Sequence, residues 1–231
     1  CLASSWCPFE GTVADAKAQI HQLLVDIEAQ PMPVEPGGRD LTVPLAMSGI
    51  IVALYEDAYW PVETGALMLA LEGDGSSLLM LSDAYYEREN GEYVSNMMEA
   101  FVAINCLDDR PPSDLASAEA HAAALREASP TFGEWWGFGE KLCEVWPHPQ
   151  VGEPHAITAP GAGPILVVGT TGDPATPYHG AVALAEQLES GVLLTFEGEG
   201  HTAYGRSNDC ITQAVDTYLL EGTPPADGLT C

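Results

Sequence analysis

A chain of 231 residues with 34 acidic and 7 basic side chains has a formal net charge of −27. It offers no basic footprint to displace counterions from nucleic acid, and for the same reason it is a poor match for anionic membrane surfaces. Such a field keeps a protein dispersed and also attracts cations, such as peptides with a free amino terminus. No stretch approaches the roughly 20 apolar residues of a membrane span, and the first residue, Cys1, fits a processed or truncated start.

The first two-thirds of the chain reads as helical. Thr12-Val13-Ala14-Asp15 resembles a capping box, and Val13, Ala16, Ile20, Leu23, Leu24 and Ile27 follow at helical spacing until Pro31. Met32 to Asp40 is rich in proline and glycine and reads as a loop. Helices are predicted over 45–58, 62–71, 78–86 and 93–104, and an alanine-rich one over 115–128 ends before Pro130. Trp135, Trp136, Phe138 and Trp146 then fall close together among glycines. They suit either the wall of an apolar pocket or ordinary packing at a domain junction.

After Gly163 the pattern becomes α/β. The apolar runs Pro164 to Gly169 and Val192 to Phe196 read as buried strands bounded by glycine. Between them Tyr178 to Leu188 has helical spacing, with Ala181, Leu184, Ala185 and Leu188 on one face. Two such strands would be parallel neighbours. A two-stranded parallel sheet is not a free-standing core, so the chain reads as the C-terminal piece of a larger protein.

Each strand is followed by a loop with one titratable group. Gly172-Asp173-Pro174-Ala175-Thr176-Pro177 follows the first, and Gly200-His201 follows the second. Groups just past the carboxyl ends of parallel strands lie where ligands bind in open α/β sheets. A carboxylate there can hold an imidazole through its Nδ1–H. The alternatives are a turn-forming Asp before Pro and a surface His in a turn. The intervening segment, long enough for one helix and one strand, brings the two loops to one sheet edge. Thr176 reads as the cap of the next helix and Pro177 as its first residue. His179 is the one rival base; His21, His121, His148 and His155 lack such partners. No G-x-S-x-G nucleophile motif occurs, and no metal-binding pattern such as H-E-x-x-H. Neither metal nor cofactor is expected.

The six cysteines form no C-x-x-C pair. Their even count and wide spacing suggest disulfides and an oxidising compartment. Proximity favours Cys1–Cys7, Cys106–Cys143 and Cys210–Cys231.

The terminal block resembles the C-terminal region of the tripeptidyl aminopeptidase-like family of α/β-hydrolases. The resemblance rests on Pro164 to Gly169, Asp173 to Pro177, Gly200-His201, Cys210, Tyr218 to Pro225 and Cys231. Upstream, Ala103-Ile104-Asn105-Cys106-Leu107-Asp108 and Cys143-Glu144-Val145-Trp146-Pro147 are similar to further family segments, and the opening helices resemble its lid. The resemblance implies a helical lid over 1–150 and a C-terminal α/β-hydrolase segment over 151–231, with the nucleophile half of the sheet absent. It implies Asp173 as the acid and His201 as the base of a Ser-His-Asp triad, in a secreted or envelope-associated serine hydrolase.

The function expected is release of short peptides from amino termini. Asp108 is the candidate for binding the substrate's ammonium group, against the reading of a solvated helix-end Asp, and Trp146 is the candidate for an apolar substrate wall. An esterase on the same scaffold is the alternative, as is a non-catalytic fragment that binds the other half of its precursor. Expected partners are a peptide or small ester and the N-terminal segment of the same precursor.

Overall fold

The computed structural model describes residues 1–34, 38–108, 114–139 and 141–231. It divides into two compact units. One comprises Cys1–Ala53 with Trp60–Pro154, the other Leu54–Tyr59 with His155–Cys231.

The first unit is helical. Helix α1 (Val13–Ala29) starts from a complete capping box: the Asp15 amide donates to Thr12 Oγ1 at 3.2 Å, and the Thr12 amide donates to Asp15 Oδ2 at 2.7 Å. It buries Ala16, Leu23, Leu24 and Ile27, whereas Val13 is 61% exposed because it lies ahead of the packed stretch. Strands β1 (Met32–Pro33) and β2 (Asp40–Leu41) pair antiparallel where a plain loop is expected from sequence. Helices α2 (Val43–Leu54), α3 (Trp60–Leu71) and α4 (Ser76–Tyr85) follow; the short 3-10 turn at Asp57–Tyr59, between α2 and α3, belongs to the second unit. At Gly49 a Cβ would lie 2.4 Å from the Leu78 carbonyl, so α2 and α4 touch backbone to backbone there. Beside that contact Ser48 and Ser82 share a buried hydrogen bond of 2.8 Å.

Sequence periodicity predicts a helix from Tyr93, but α5 spans Met97–Asp108. Residues before it form a hairpin of β3 (Arg88–Glu89) and β4 (Glu92–Tyr93), turning on Asn90-Gly91, both at positive φ. Helix α6 (Leu115–Ala128) is capped by Asp114, whose carboxylate accepts from the Ser117 amide. The short helices α7 (Gly133–Trp136) and α8 (Lys141–Glu144) complete the unit. Its core centres on Leu24, Ile27, Leu41, Ala46 and Leu78.

The second unit is α/β. Strand β5 (Ile165–Gly172) leads through α9 (Tyr178–Gln187) to β6 (Gly191–Glu199), parallel to it. Helix α10 (Asp209–Glu221) then returns the chain to β7 (Leu229–Thr230), also parallel to β6, in the order β5-β6-β7. Two residues give β7 no readable periodicity, and sequence analysis does not anticipate it. Leu194, Ala203, Ile211 and Val215 form the core, all on the β6–α10 side. No residue of α9 is buried, and Leu184, expected on its packed face, is exposed. Among the described residues β5 pairs only with β6, so its outer edge is open.

Three disulfides are formed, Cys1–Cys7, Cys106–Cys143 and Cys210–Cys231, with Cα separations of 5.0, 5.1 and 5.8 Å. The last ties the start of α10 to the residue after β7. No described helix is long and apolar enough to cross a membrane.

One buried group gives the helical unit a pH signature. Glu63, in the first turn of α3, is 8% exposed, and neither carboxylate oxygen has a hydrogen-bond partner. Burial pushes its carboxyl from the ordinary 4.5 up to about 8. The folded protein therefore keeps a proton that the unfolded chain gives up, and that contribution to stability, complete below 4.5, fades as pH rises through about 8. Thermal melts across this range should show wild type losing on the order of a few kcal/mol relative to Glu63→Gln. Parallel pH profiles for the two proteins would show that Glu63 is ionised in the fold.

Candidate active site

The site in the α/β unit grows from the end of β5. Gly169 lets α9 lie against this strand: a Cβ there would fall 2.8 Å from Ala181 Cβ and 2.9 Å from the Tyr178 ring. Tyr178 in turn ties α9 to β6 through a 2.7 Å hydrogen bond between its hydroxyl and Thr195 Oγ1. These contacts set where the chain leaves β5 and where it leaves β6, at adjacent strand ends.

Asp173 lies in the first of these loops. Its Oδ1 accepts the amides of Ala175 at 2.9 Å and Thr176 at 2.8 Å. Its Oδ2 accepts the Thr176 hydroxyl at 2.8 Å and the Thr202 amide at 3.0 Å. His201 Nδ1 lies 3.1 Å from both oxygens. The Asp173 side chain is 3% exposed and that of His201 30%.

Burial by itself raises the Asp173 carboxyl, but the Thr176 and Thr202 amides, the Thr176 hydroxyl and the Ala175 amide outweigh it. They hold the group well below the usual carboxylate range. An ionised carboxylate only accepts, so Nδ1 carries the proton of a neutral His201 ring, and the lone pair is on Nε2. An imidazole held this way can act as a general base through its far nitrogen.

The structure thus joins the two residues that sequence analysis singles out by their loops. Thr176 is the first correction. Sequence predicts it as the helix cap and Pro177 as the first helical residue. Instead α9 begins at Tyr178, Pro177 occupies the cap position, and Thr176 turns its hydroxyl onto Asp173, 3.3 Å from His201 Nδ1. Tyr55 is the second finding. Its carbonyl accepts the His201 amide at 2.7 Å, and its ring meets the imidazole edge-on with centroids 5.3 Å apart. Tyr55 lies far away in sequence, in a stretch that reads as ordinary helix, and nothing local marks it. His179 is exposed in the first turn of α9.

Asp108 and Trp146 belong to the helical unit. Asp108 is exposed at the end of α5, and its carbonyl accepts from the Gln150 side chain at 3.0 Å. Trp146 is half-buried, with its ring 6.0 Å from that of His148. Of the aromatic cluster, Trp135 and Trp136 line a cavity of about 530 Å³ in that unit, with Met47, Ile51, Tyr85 and Tyr86. Phe138 and Trp146 are not part of that wall. Among the described residues no group of His, Cys, Asp or Glu is arranged to hold a metal ion.

Comparison with known proteins bears on the segment that carries this site. Residues 129–231 match the family described as TAP-like protein. Along its full length the chain is 37% identical to the serine protease Hip1 of Mycobacterium tuberculosis (strain ATCC 25618 / H37Rv), covering 46% of that protein. It is also 37% identical to the carboxylesterase B of the same strain, covering 45% of it. A tripeptidyl aminopeptidase from Streptomyces lividans is 31% identical over 78% of this chain and 34% of that protein. The chain therefore spans about half the length of the first two relatives. The matched segment contains the parallel β5-α9-β6 layout with Asp173 and His201 at its strand ends, and it is over these residues, 129–231, that the chain matches the C-terminal part of the TAP-like hydrolases.

Proposed function

We propose that this chain supplies the acid and the base of a serine hydrolase, with Asp173 orienting His201 and His201 taking and returning the proton of a serine. The observation that carries the reading is the Nδ1 contact of His201 with a buried, ionised Asp173. The serine would come from a companion segment of the same precursor, since no G-x-S-x-G lies within the 231 residues. The open edge of β5 supports this. Parallel strands are normally covered on both sides, and beside this one lies a cavity of about 660 Å³ lined by Val167, Gly169, Ala181, Leu184 and Tyr204. A companion strand added to β5, with a helix over that cavity, would cover the exposed face of α9.

In this reading residues 1–150, most of them in the helical unit, are the lid, and 151–231 is the C-terminal hydrolase segment. The substrate is a peptide with a free amino terminus, drawn by the net charge of −27, and the product a short peptide. Asp108 offers its carboxylate to the terminal ammonium, and Trp146 an apolar wall. The three disulfides fit an oxidising, extracytoplasmic location. An esterase is the second reading, favoured by the relative named carboxylesterase B at the same 37% identity.

In the hydrolase that carries its serine, His201→Ala should lower kcat on the order of 10⁶-fold. Asp173→Asn should lower it by about 10⁴-fold, because an amide no longer selects the Nδ1–H tautomer. His179→Ala should leave turnover unchanged. An active His201→Ala enzyme beside a dead His179→Ala enzyme would overturn the assignment.

A fluorophosphonate probe should label the companion segment and leave this chain unlabelled; labelling of Ser48 or Ser82 would place the nucleophile here. Substrates with free and blocked amino termini separate the two substrate readings. Asp108→Asn should raise KM for free-amine peptides alone, and an equal effect on both series would remove Asp108 from the ammonium site.

A further inference from the structure

His201 is carried by a turn with little regular hydrogen bonding of its own. Gly200 and Gly205 have φ of +94° and +83°, and Thr202 has φ of +67°. A β-branched residue rarely adopts that conformation, so surrounding contacts must hold it. Two are visible from Thr202 itself: its amide donates to Asp173, and its carbonyl accepts from Thr170 Oγ1 at 2.9 Å.

The remaining contacts come from Arg206. Its Nη1 donates to the carbonyls of His201 at 3.2 Å and Thr202 at 2.8 Å, and its Nη2 donates to the Glu199 carbonyl at 3.3 Å. The turn is closed by the amides of Arg206 and Ser207, which both donate to the Ala203 carbonyl. Gly200 makes room for the guanidinium, since a Cβ there would lie 2.4 Å from Arg206 Nη2. Arg206 Nε is buried without a partner, so the group is enclosed by the turn it binds.

The company Arg206 keeps is informative. In a chain with 34 acidic and 7 basic side chains, carboxylates are abundant and cations scarce. Among the described residues Arg206 makes no ion pair. Its charge is directed at three carbonyl oxygens on the inner side of one turn. The planar fork of an arginine can serve three diverging acceptors together, which a lysine ammonium on a flexible stem does poorly. With these bonds both main-chain groups of His201 are held: the amide by Tyr55 and the carbonyl by Arg206.

We propose that Arg206 is a positioning residue for His201. By gathering the carbonyls of Glu199, His201 and Thr202 it fixes the backbone from which the imidazole projects, keeping Nδ1 on Asp173 and Nε2 facing the reacting partner. The catalytic part of this inference rests on His201 being the base; the structural part does not.

The test uses the full chain and, in parallel, the hydrolase that carries its serine. In the full chain, the Nδ1 proton of His201 should give a slowly exchanging downfield NMR signal, identified by its loss in His201→Ala. Arg206→Met should abolish or broaden that signal while cooperative melting is retained, and Arg206→Lys should keep part of it. In the hydrolase, Arg206→Met should lower kcat by about 10²-fold with KM little changed, the scale expected for a displaced catalytic group. Free guanidinium at low concentration should restore part of the loss.

An unchanged signal and kcat in Arg206→Met would overturn the proposal. Loss of the signal only together with the melting transition, with Arg206→Lys equally unfolded, would also overturn it by reducing Arg206 to a structural role. Loss of the signal in an enzyme whose turnover ignores His201→Ala would retain the positioning contact and remove the hydrolase reading.

Discussion

The α/β unit is organised around one buried carboxylate. Asp173 accepts from the Ala175 and Thr176 amides, the Thr176 hydroxyl, the Thr202 amide and His201 Nδ1. Three of these donors lie in its own loop and two in the loop after β6, so one charge fastens two strand ends together. An ionised group at this depth is tolerable only because its acceptor sites are filled. The same bonds that stabilise the charge select the imidazole tautomer, so local stability and the geometry of the Asp173–His201 pair depend on the same atoms.

Charge management is the wider constraint. With so few cations, most carboxylates cannot be paired and are handled by other means. Asp15 and Asp114 accept backbone amides at helix N-termini, where the helix dipole favours them. Asp83 receives two of the arginines, Arg39 at 2.5 Å and Arg88 at 3.5 Å. Glu63, with no partner, is kept protonated by burial. Against this background the commitment of Arg206 to backbone carbonyls is conspicuous, because the alternative partners are so numerous.

The two units differ in how their cores close. The helical unit buries a broad apolar set, with small residues such as Gly49 allowing close helix approach. The α/β unit buries a narrow one, concentrated on the β6–α10 side and stapled by Cys210–Cys231. The exposed α9 face and open β5 edge are the counterpart of that imbalance. That relatives of similar identity are named as protease, carboxylesterase and aminopeptidase shows that likeness of sequence does not by itself dictate the scissile bond.

By itself the sequence determined what is local. The capping box at Thr12, the helix over 115–128, the strand-helix-strand run from Ile165 to Glu199 and the placement of Asp173 and His201 in the loops after the strands were all legible, because periodicity and glycine punctuation act over a few residues. The Asn90-Gly91 hairpin was also written locally, but the helical spacing around it masked the signal. Tertiary structure alone decided the rest. Strand β7 exists because β6 offers an edge and Cys210–Cys231 holds the chain end beside it. Thr176 leaves its helix-capping role because a buried carboxylate beside it needs a donor. Tyr55 and the guanidinium of Arg206 meet the His201 turn through contacts that no periodicity encodes. A residue's pattern says which face it occupies; only the packed chain says which unsatisfied donor or acceptor waits there.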